Sequence, residues 1–399
     1  MKYAHTFLLY IVVLAGLPLL GHAQNKTLKV ADQLVSERKY LSAYRLLEQA
    51  DPNAHDPAIT IRRTEIATSY FAKSLDHTLF GLIDLPHGED LDSIRRTDSG
   101  SYTMVWFRPD SALSILLDRY PDNAALHLAL GNYYYNVWQI YGNEWFISDS
   151  ALADGSEAQL FDALRHGLRD NNTYSRLGYL ALDRQDYSIA SGYYHTAIDS
   201  GSIDVSDYYN IAVCDLYQDK YPEGISYARY SFEHYTDPSL KGDAAHLLGS
   251  LYTSTAAFDS AVTYFLISLD LDSLNSNSMA KLVIVYCESH RPADASKWAE
   301  RYFDVAPGQE TLNDIVRSFH EWKQDDALVA WFEHMKGKYA KDDETSGGLR
   351  LVQGQYYLLV GDKPNARREL NEARTYFQQV YDEDNEAFPF IEDLLTSAK

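Results

Sequence analysis

Three stretches of the chain share one pattern: YSRLGYLALDRQDYSIASGYYHTA (174–197), AHLLGSLYTSTAAFDSAVTYFLIS (245–268) and MAKLVIVYCESHRPADASKWAERY (279–302). Each stretch has leucine at its fourth residue, glycine or valine at its fifth and alanine at its seventeenth. The step from Gly249 to Val283 is 34 residues. A fixed period of about 20 to 50 residues predicts an architecture of stacked repeats, each of them one supersecondary unit.

The small residues of this pattern have complementary places in a pair of helices. A small residue in the first helix lets the second helix approach closely, and an alanine in the second helix does the same from the other side. A large side chain fills the space between the two helices. The first-helix residues are Gly178, Ala212 and Gly249, the alanines are Ala190, Ala261, Ala295 and Ala366, and the large side chains include Tyr194 and Phe265.

This pattern resembles the tetratricopeptide repeat family, whose 34-residue unit is a pair of antiparallel helices. The resemblance implies an all-α fold, an α-solenoid of about nine helix pairs that forms a right-handed superhelix lined inside by the first helices. It covers residues 24–373, with a copy near Ala31 at the start and one near Gly354 at the end. A HEAT-type array is the alternative, but its period of about 40 to 47 residues fits less well.

The spacing between copies also predicts where the repeats are interrupted. Gly131 and Gly178 are 47 residues apart, which exceeds one repeat and indicates an insertion near 137–151. A further repeat fits before Gly131 if its two helices are separated by an insertion near 77–111. Residues 374–399 are predicted to be a C-terminal capping helix with an acidic linker.

The N-terminus has the composition of a signal peptide. Lys2 precedes a 14-residue apolar run, 7–20, and Ala23 supplies the small residue expected before a cleavage site. The run is short for a bilayer span, which needs about 20 residues. We therefore expect residues 1–23 to be removed, which leaves a mature protein without a transmembrane span in the periplasm or at the cell exterior. An uncleaved anchor is the alternative.

The net charge narrows the class of possible partners, and the positions of the cysteines bear on disulfide bonding. The chain has 35 basic and 57 acidic residues, a net charge of -22, so it would repel nucleic acid. The two cysteines, Cys214 and Cys287, fall in helices two repeats apart, whereas a disulfide needs Cα atoms within about 7 Å. Two free, buried thiols are therefore expected.

Signatures of catalysis were sought without result. The sequence contains no glycine-rich phosphate loop, GxSxG elbow, HExxH or CxxC motif. The HGEDLD stretch (87–92) and the acidic run 382–386 hold metal-capable side chains, but such runs are usually solvated. We predict that the protein is not an enzyme, with no catalytic residue, metal site or cofactor. An enzyme with its site in the insertions remains a third possibility.

Aromatic residues are the most conspicuous candidates for binding, because rigid rings with a polar tip are favoured at interfaces. The chain has 32 tyrosines, and the densest aromatic stretch is NYYYNVWQIYGNEWF (132–146). Tyr134, Tyr194 and Tyr357 hold core positions of the repeat, so their neighbours are expected to point elsewhere. The predicted partner-binding residues are Trp106, Tyr133, Tyr135, Trp138, Tyr141, Trp145, Phe146 and Tyr209. The interpretation left open is that these rings only pack on the repeats.

These observations predict an exported, non-enzymatic scaffold that binds a protein or peptide of the cell envelope through its concave face and its aromatic insertions. Some tetratricopeptide cochaperones hold a C-terminal carboxylate with basic residues at the fifth and ninth repeat positions. Here those positions carry no lysine or arginine: they are Ser175, Tyr179, Tyr209, Val213, His246, Ser250, Ala280 and Ile284. The alternative function is a glycan-binding module that resembles starch-binding outer-membrane components, with an oligosaccharide as the ligand.

Overall fold

The computed structural model describes residues 22–97, 100–141 and 146–398, which fall into two compact units divided after Ser202. The segment 1–21, which holds most of the predicted signal peptide, lies outside the described residues. The first unit contains α1 (His22–Ser36), α2 (Tyr40–Ala50), α3 (Pro57–Ser69), β1 (Lys73–Leu75), β2 (Leu79–Leu82), α4 (Leu91–Thr97), β3 (Thr103–Trp106), α5 (Pro109–Arg119), α6 (Ala124–Tyr141), α7 (Asp149–Arg165), α8 (Asn171–Asp183) and α9 (Tyr187–Asp199).

The second unit is entirely helical in the part of the chain that the structure describes. It contains α10 (Val205–Tyr217), α11 (Tyr221–His234), α12 (Pro238–Ser254), α13 (Phe258–Leu271), α14 (Ser276–Glu288), α15 (Pro292–Val305), α16 (Gln309–Glu321), α17 (Asp325–Lys338), α18 (Asp343–Leu359), α19 (Lys363–Phe377) and α20 (Ala387–Ser397). Consecutive helices pair from α10 with α11 to α18 with α19, and α20 packs on the last pair.

The prediction of an all-α repeat fold is confirmed. Over the described residues the helices make nine consecutive pairs, with α3 and α5 forming the pair that the first insertion interrupts. The packing follows the predicted rule. A Cβ added at Gly178 would lie 2.9 Å from the Tyr194 ring, and one at Gly249 would lie 2.6 Å from the Phe265 ring. Only a residue without a side chain permits these contacts.

The first insertion contains a small antiparallel sheet that the sequence analysis did not anticipate. The strand order is β1-β2-β3, and the register pairs Leu75 with Leu79 and Leu79 with Trp106. Side chains alternate across the sheet, so Phe80 and Leu82 are buried against the helices of the repeat while the opposite face points outward. The sheet and α4 together occupy 73–106, close to the predicted range of 77–111.

Polar contacts attach this insertion to the repeats. The Tyr133 hydroxyl of α6 donates a hydrogen bond of 2.9 Å to the carbonyl oxygen of His77, in the turn between β1 and β2. The buried Arg63 guanidinium of α3 lies between two rings, 4.8 Å from the centroid of Tyr44 and 4.3 Å from that of Phe107. Because both contacts are buried, the sheet is held firmly against the helices of the first unit.

The second predicted insertion is smaller than expected. Residues 137–141 continue α6, and 149–151 belong to α7, so only 142–148 join the two helices. The extra residues between Gly131 and Gly178 lengthen the helices, since α6 has 18 residues and α7 has 17, whereas α8 has 13. At the C-terminus α19 extends to Phe377, so the capping helix is α20 rather than the whole of 374–399.

Candidate partner-binding surface

Apart from Lys73, the side chains on the outward face of the insertion sheet are apolar. Leu75, Met104 and Trp106 lie on this face with exposed fractions of 47%, 38% and 67%, and we call these three residues the insertion patch. Leu79, which lies between Leu75 and Trp106 in the sheet register, is half-buried. Leu75, Leu79 and Trp106 therefore form a continuous apolar row across the three strands, and Met104 lies beside Trp106 on the same face.

Phe146 lies near the end of β3. Its ring is 59% exposed, and the Arg108 guanidinium carbon lies 5.1 Å from the ring centroid. Arg108 follows Trp106 by two residues and forms a bidentate ion pair with Asp110, with N–O distances of 2.9 and 2.6 Å. The structure thus brings together residues of the two regions that the sequence predicted to interrupt adjacent repeats.

Three predicted binding residues are buried: the expectation that Tyr133 and Tyr135 point away from the core is wrong, and Trp138 packs on the repeats, which is the interpretation left open for it. Tyr133, Tyr135 and Trp138 all belong to the hydrophobic core around α6. The physical reason is that α6 packs against α3, α5 and α7, so more than one of its faces is covered. Tyr194 and Tyr357 are buried as predicted, whereas Tyr134 is half-buried against Gly155.

The remaining predicted residues are distributed differently. Tyr209 of α10 is half-buried in the second unit, with its ring 6.3 Å from that of Tyr235, and burial raises the pKa of its hydroxyl. Trp145 and the side chain of Tyr141 lie outside the described residues. Of the eight predicted positions, Trp106 and Phe146 are therefore the ones that the structure places at the surface of the first unit.

A second aromatic cluster, which we call the arginine cluster, joins α6 and α8. The Tyr179 ring lies 6.3 Å from that of Tyr135 and 5.9 Å from that of Trp138. The Arg176 guanidinium carbon lies 5.7 Å from the centroid of Tyr135. Tyr179 occupies one of the repeat positions at which basic residues were expected for carboxylate binding, whereas Arg176 lies at neither the fifth nor the ninth position and was not predicted.

The first unit also contains a cleft of about 670 Å³ between α7 and α8, lined in part by Phe161 and Tyr174. Its two arginines are already engaged. Arg165 pairs with Asp162 at 2.9 Å, and Arg169 donates a hydrogen bond of 3.0 Å to the carbonyl oxygen of Leu164 near the end of α7. The first contact lies within α7 and the second joins the turn to the end of α7, so both arginines that line the cleft are already paired or hydrogen-bonded.

The remaining features are the two cysteines, metal ligands and helices that could cross a membrane. Cys214 and Cys287 are buried and form no disulfide, as predicted, and burial raises the pKa of the Cys287 thiol to about 12. Within the described ranges, no three histidine, cysteine or acidic side chains converge as metal ligands. In those same ranges no helix combines the length and apolar character that a membrane crossing requires.

Comparison with known proteins finds only distantly similar solved structures. No family model and no curated protein matches the sequence. Similar solved structures include YrrB, described as a TPR protein with an unusual peptide-binding site, at 13% identity over 54% of this chain and 99% of that chain, with a TM-score of 0.43. A tetratricopeptide repeat protein from Parabacteroides merdae matches at 14% identity, covering 63% of this chain and 93% of its own, with a TM-score of 0.42.

A third similar structure is the C-terminal part of a TPR repeat-containing protein from Cytophaga hutchinsonii. It is 14% identical, covers 72% of this chain and 93% of its own, and has a TM-score of 0.44. The class of this chain is defined by its own helix pairs: it is an all-α helical-repeat protein.

Proposed function

We propose that this chain is an exported, non-enzymatic interaction scaffold that binds a protein of the cell envelope through the insertion patch and the neighbouring Phe146. The observation that carries the proposal is the row of apolar side chains on the sheet face, with Trp106 67% exposed. Contiguous exposed apolar surface is characteristic of interaction sites, and tryptophan is among the residues that contribute most to binding.

The placement of the patch also supports this function. Phe80 and Leu82 are buried on the other face of the same sheet, so the exposed side chains of the patch stand on a firmly packed base. A rigid base reduces the conformational entropy that the patch loses when a partner binds. Net charge supports a neutral or basic partner, because an acidic one would be repelled by a chain of charge -22.

The test is affinity capture from envelope and culture-supernatant fractions with the mature chain and two variants. We expect the parent to retain a protein that the double variant Met104→Ser, Trp106→Ser loses by at least about 10-fold. The matched control is Ile203→Ser, which removes a 90% exposed apolar side chain from the other unit. Far-UV circular dichroism should show all three proteins equally folded.

The outcomes separate the candidate functions. Equal capture by parent and double variant would remove the insertion patch from the proposal. If oligosaccharides rather than proteins bind the parent and quench its tryptophan emission, and if Trp106→Ser abolishes this quenching, the glycan-binding alternative is correct. Loss of capture by the Ile203→Ser control would indicate nonspecific hydrophobic retention.

A further inference from the structure

The strand β3 forms one edge of the insertion sheet, and its backbone groups point alternately toward β2 and away from it. Just beyond the strand, the Phe107 N–H donates a hydrogen bond of 2.9 Å to the carbonyl oxygen of Thr78. In an antiparallel pair, residues that bond to the partner strand alternate with residues that do not. The backbone N–H and C=O groups of Met104 and Trp106 therefore point away from β2.

These outward-pointing groups are available for pairing. In the part of the chain that the structure describes, the backbone groups of Met104 and Trp106 form no hydrogen bond, and β2 is the element against which β3 chiefly packs. Both residues are also exposed. A strand edge with unpaired N–H and C=O groups is a template onto which another strand can add.

The two edges of the sheet differ in the features that ordinarily prevent such pairing, which are charged side chains, proline and bulges. The stretch SYTMVWF (101–107), which contains β3, has no charged residue and no proline, and its β-branched and aromatic residues favour an extended backbone. In contrast, β1 contains Lys73. The Ala72 N–H also bonds to the carbonyl oxygen of Gly81, which the register already pairs with Lys73, as in a bulge. Of these two edges, β3 is thus the one suited to accept a strand.

The added strand could come from a second copy of this chain or from another protein. Net charge argues against a second copy, since each copy carries -22 and would repel the other. At the end of β3 the charge of Arg108 is balanced by Asp110, so this end favours no charged segment. Side chains opposite each other on paired strands pack together, so Met104 and Trp106 favour apolar side chains on the added strand.

We propose that β3 accepts an extended segment of a partner protein as a fourth strand of the insertion sheet. The segment is uncharged or basic and has apolar side chains at alternate positions. Its backbone bonds to the N–H and C=O groups of Met104 and Trp106, and its apolar side chains pack on theirs. In strand addition the main chain supplies affinity and the alternate side chains supply specificity. This inference rests on the proposed function, because it states how the partner is held at the insertion patch.

The alternative is that a folded partner rests on the insertion patch without backbone pairing. That mode needs the side chains of Met104 and Trp106 but is indifferent to their N–H groups, whereas strand addition needs both. The experiment therefore removes backbone donors while it keeps apolar side chains.

The probes are two fluorescein-labelled peptide pools, measured by fluorescence anisotropy with the full mature chain. In the first pool threonine alternates with a residue randomised over valine, isoleucine, leucine, phenylalanine and tyrosine, and a lysine stands at each end. The second pool has the same design except for a central proline, so both pools have the same charge. We expect the first pool to bind at least about 10-fold more tightly, because proline lacks the N–H that a ladder requires.

N-methylation of the first pool tests the pairing without any change in the protein. In a bound strand the N–H groups of alternate residues face β3, and the others face solvent. Methylating the backbone nitrogens of one alternate set should therefore weaken binding about 10-fold, and methylating the other set should change it less than about twofold. The set that matters shows whether the segment runs parallel or antiparallel to β3.

Substitutions at Met104 locate the pairing on β3. Proline is tolerated at an edge position whose N–H points away from the sheet, so Met104→Pro removes one outward donor and should weaken binding of the first pool about 10-fold. Met104→Leu is the matched control, because it keeps the N–H and an apolar side chain, and it should bind within about twofold of the parent. If circular dichroism shows that Met104→Pro is unfolded, Met104→Ser, Trp106→Ser replaces it and should weaken the same binding.

Four results would overturn the inference. The first is binding of the two pools within twofold, including no binding by either. The second is an equal effect of both N-methylated sets. The third is equal binding by Met104→Leu and a folded Met104→Pro. The fourth is a dimer of the parent chain in size-exclusion chromatography that Met104→Pro dissociates, which would make a second copy the occupant. Capture that depends on the patch side chains while Met104→Pro still binds its partner would refute strand addition and leave the proposed function intact.

Discussion

At the scale of single residues, His77 shows how the insertion is built into the core. Its ring is fully buried among Phe71, Phe80 and Tyr133, with centroid distances of 5.6, 5.5 and 6.1 Å. Burial disfavours the charged imidazolium and lowers the pKa of His77 to about 4, below the ordinary value of 6.5. The His77 ring, which packs the sheet against the repeats, therefore resists protonation in the folded chain and is destabilising at low pH.

This burial predicts a pH dependence of the free energy of unfolding. Below pH 6.5 the unfolded chain binds a proton at His77 that the folded chain does not, so stability falls as the pH is lowered toward 4 and this loss then levels off. The contribution of His77 is at most about 3 kcal/mol. Urea unfolding of the parent and His77→Phe from pH 8 to pH 4 should show a smaller loss in the variant. Parallel curves would contradict the assignment.

At the scale of elements, the helix pairs were predictable because their determinants are local and repeated. The glycine and alanine positions recur with the period of the repeat, and each alanine of this set, such as Ala190 or Ala261, is fully buried. The sheet was not predictable by the same means. Its strands have three or four residues, a length at which periodicity does not distinguish strand from loop, and their pairing joins β2 to β3 across α4.

The binding residues illustrate a second limit of sequence reasoning. The neighbours of the core tyrosine in α6 were expected to face outward, as they would on a helix covered on one side. Instead the hydroxyl of Tyr133 contacts the insertion and Trp138 contacts α8, so packing partners that are distant in sequence decide their burial. Trp106 was identified correctly as an exposed candidate, although its strand was not recognised.

The packing rule of the helix pairs gives a matched pair of substitutions. Glycine to alanine inside an exposed helix ordinarily stabilises it by about 0.5–1 kcal/mol. Gly192→Ala in α9 should follow this rule, since no atom lies within 4 Å of the added Cβ. Gly249→Ala in α12 should instead destabilise by about 1–3 kcal/mol, because the added Cβ would lie 2.6 Å from the buried Phe265 ring.

Thermal or urea unfolding of the two variants measures this difference directly. The opposite signs are the decisive feature, because the same chemical change is made in two helices of the same fold. If Gly249→Ala were neutral, the close approach of α12 and α13 would not depend on glycine. Gly354→Ala should behave like Gly249→Ala, since its added Cβ would lie 2.8 Å from Leu370.

At the scale of the whole molecule, the strong negative charge is consistent with the proposed role as an exported scaffold. Removal of residues 1–23 takes away one lysine and no other charged residue, so the net charge goes from -22 to -23. A strong net negative charge favours solubility and disfavours attraction to anionic lipid and nucleic acid. These properties suit a scaffold that must find a protein partner in the envelope by specific contacts.

Export makes a prediction that can be checked on the full-length protein in its cell. We expect N-terminal sequencing of the periplasmic or extracellular form to begin at Gln24, because Ala23 offers the small side chain that signal peptidase requires before the cut. Ala23→Tyr should block processing and leave the protein in the membrane fraction, whereas Ala23→Gly, which keeps a small side chain, should be processed. A parent protein that retains Lys2 and remains membrane-bound would establish the uncleaved anchor instead, and the scaffold would then act at the membrane surface.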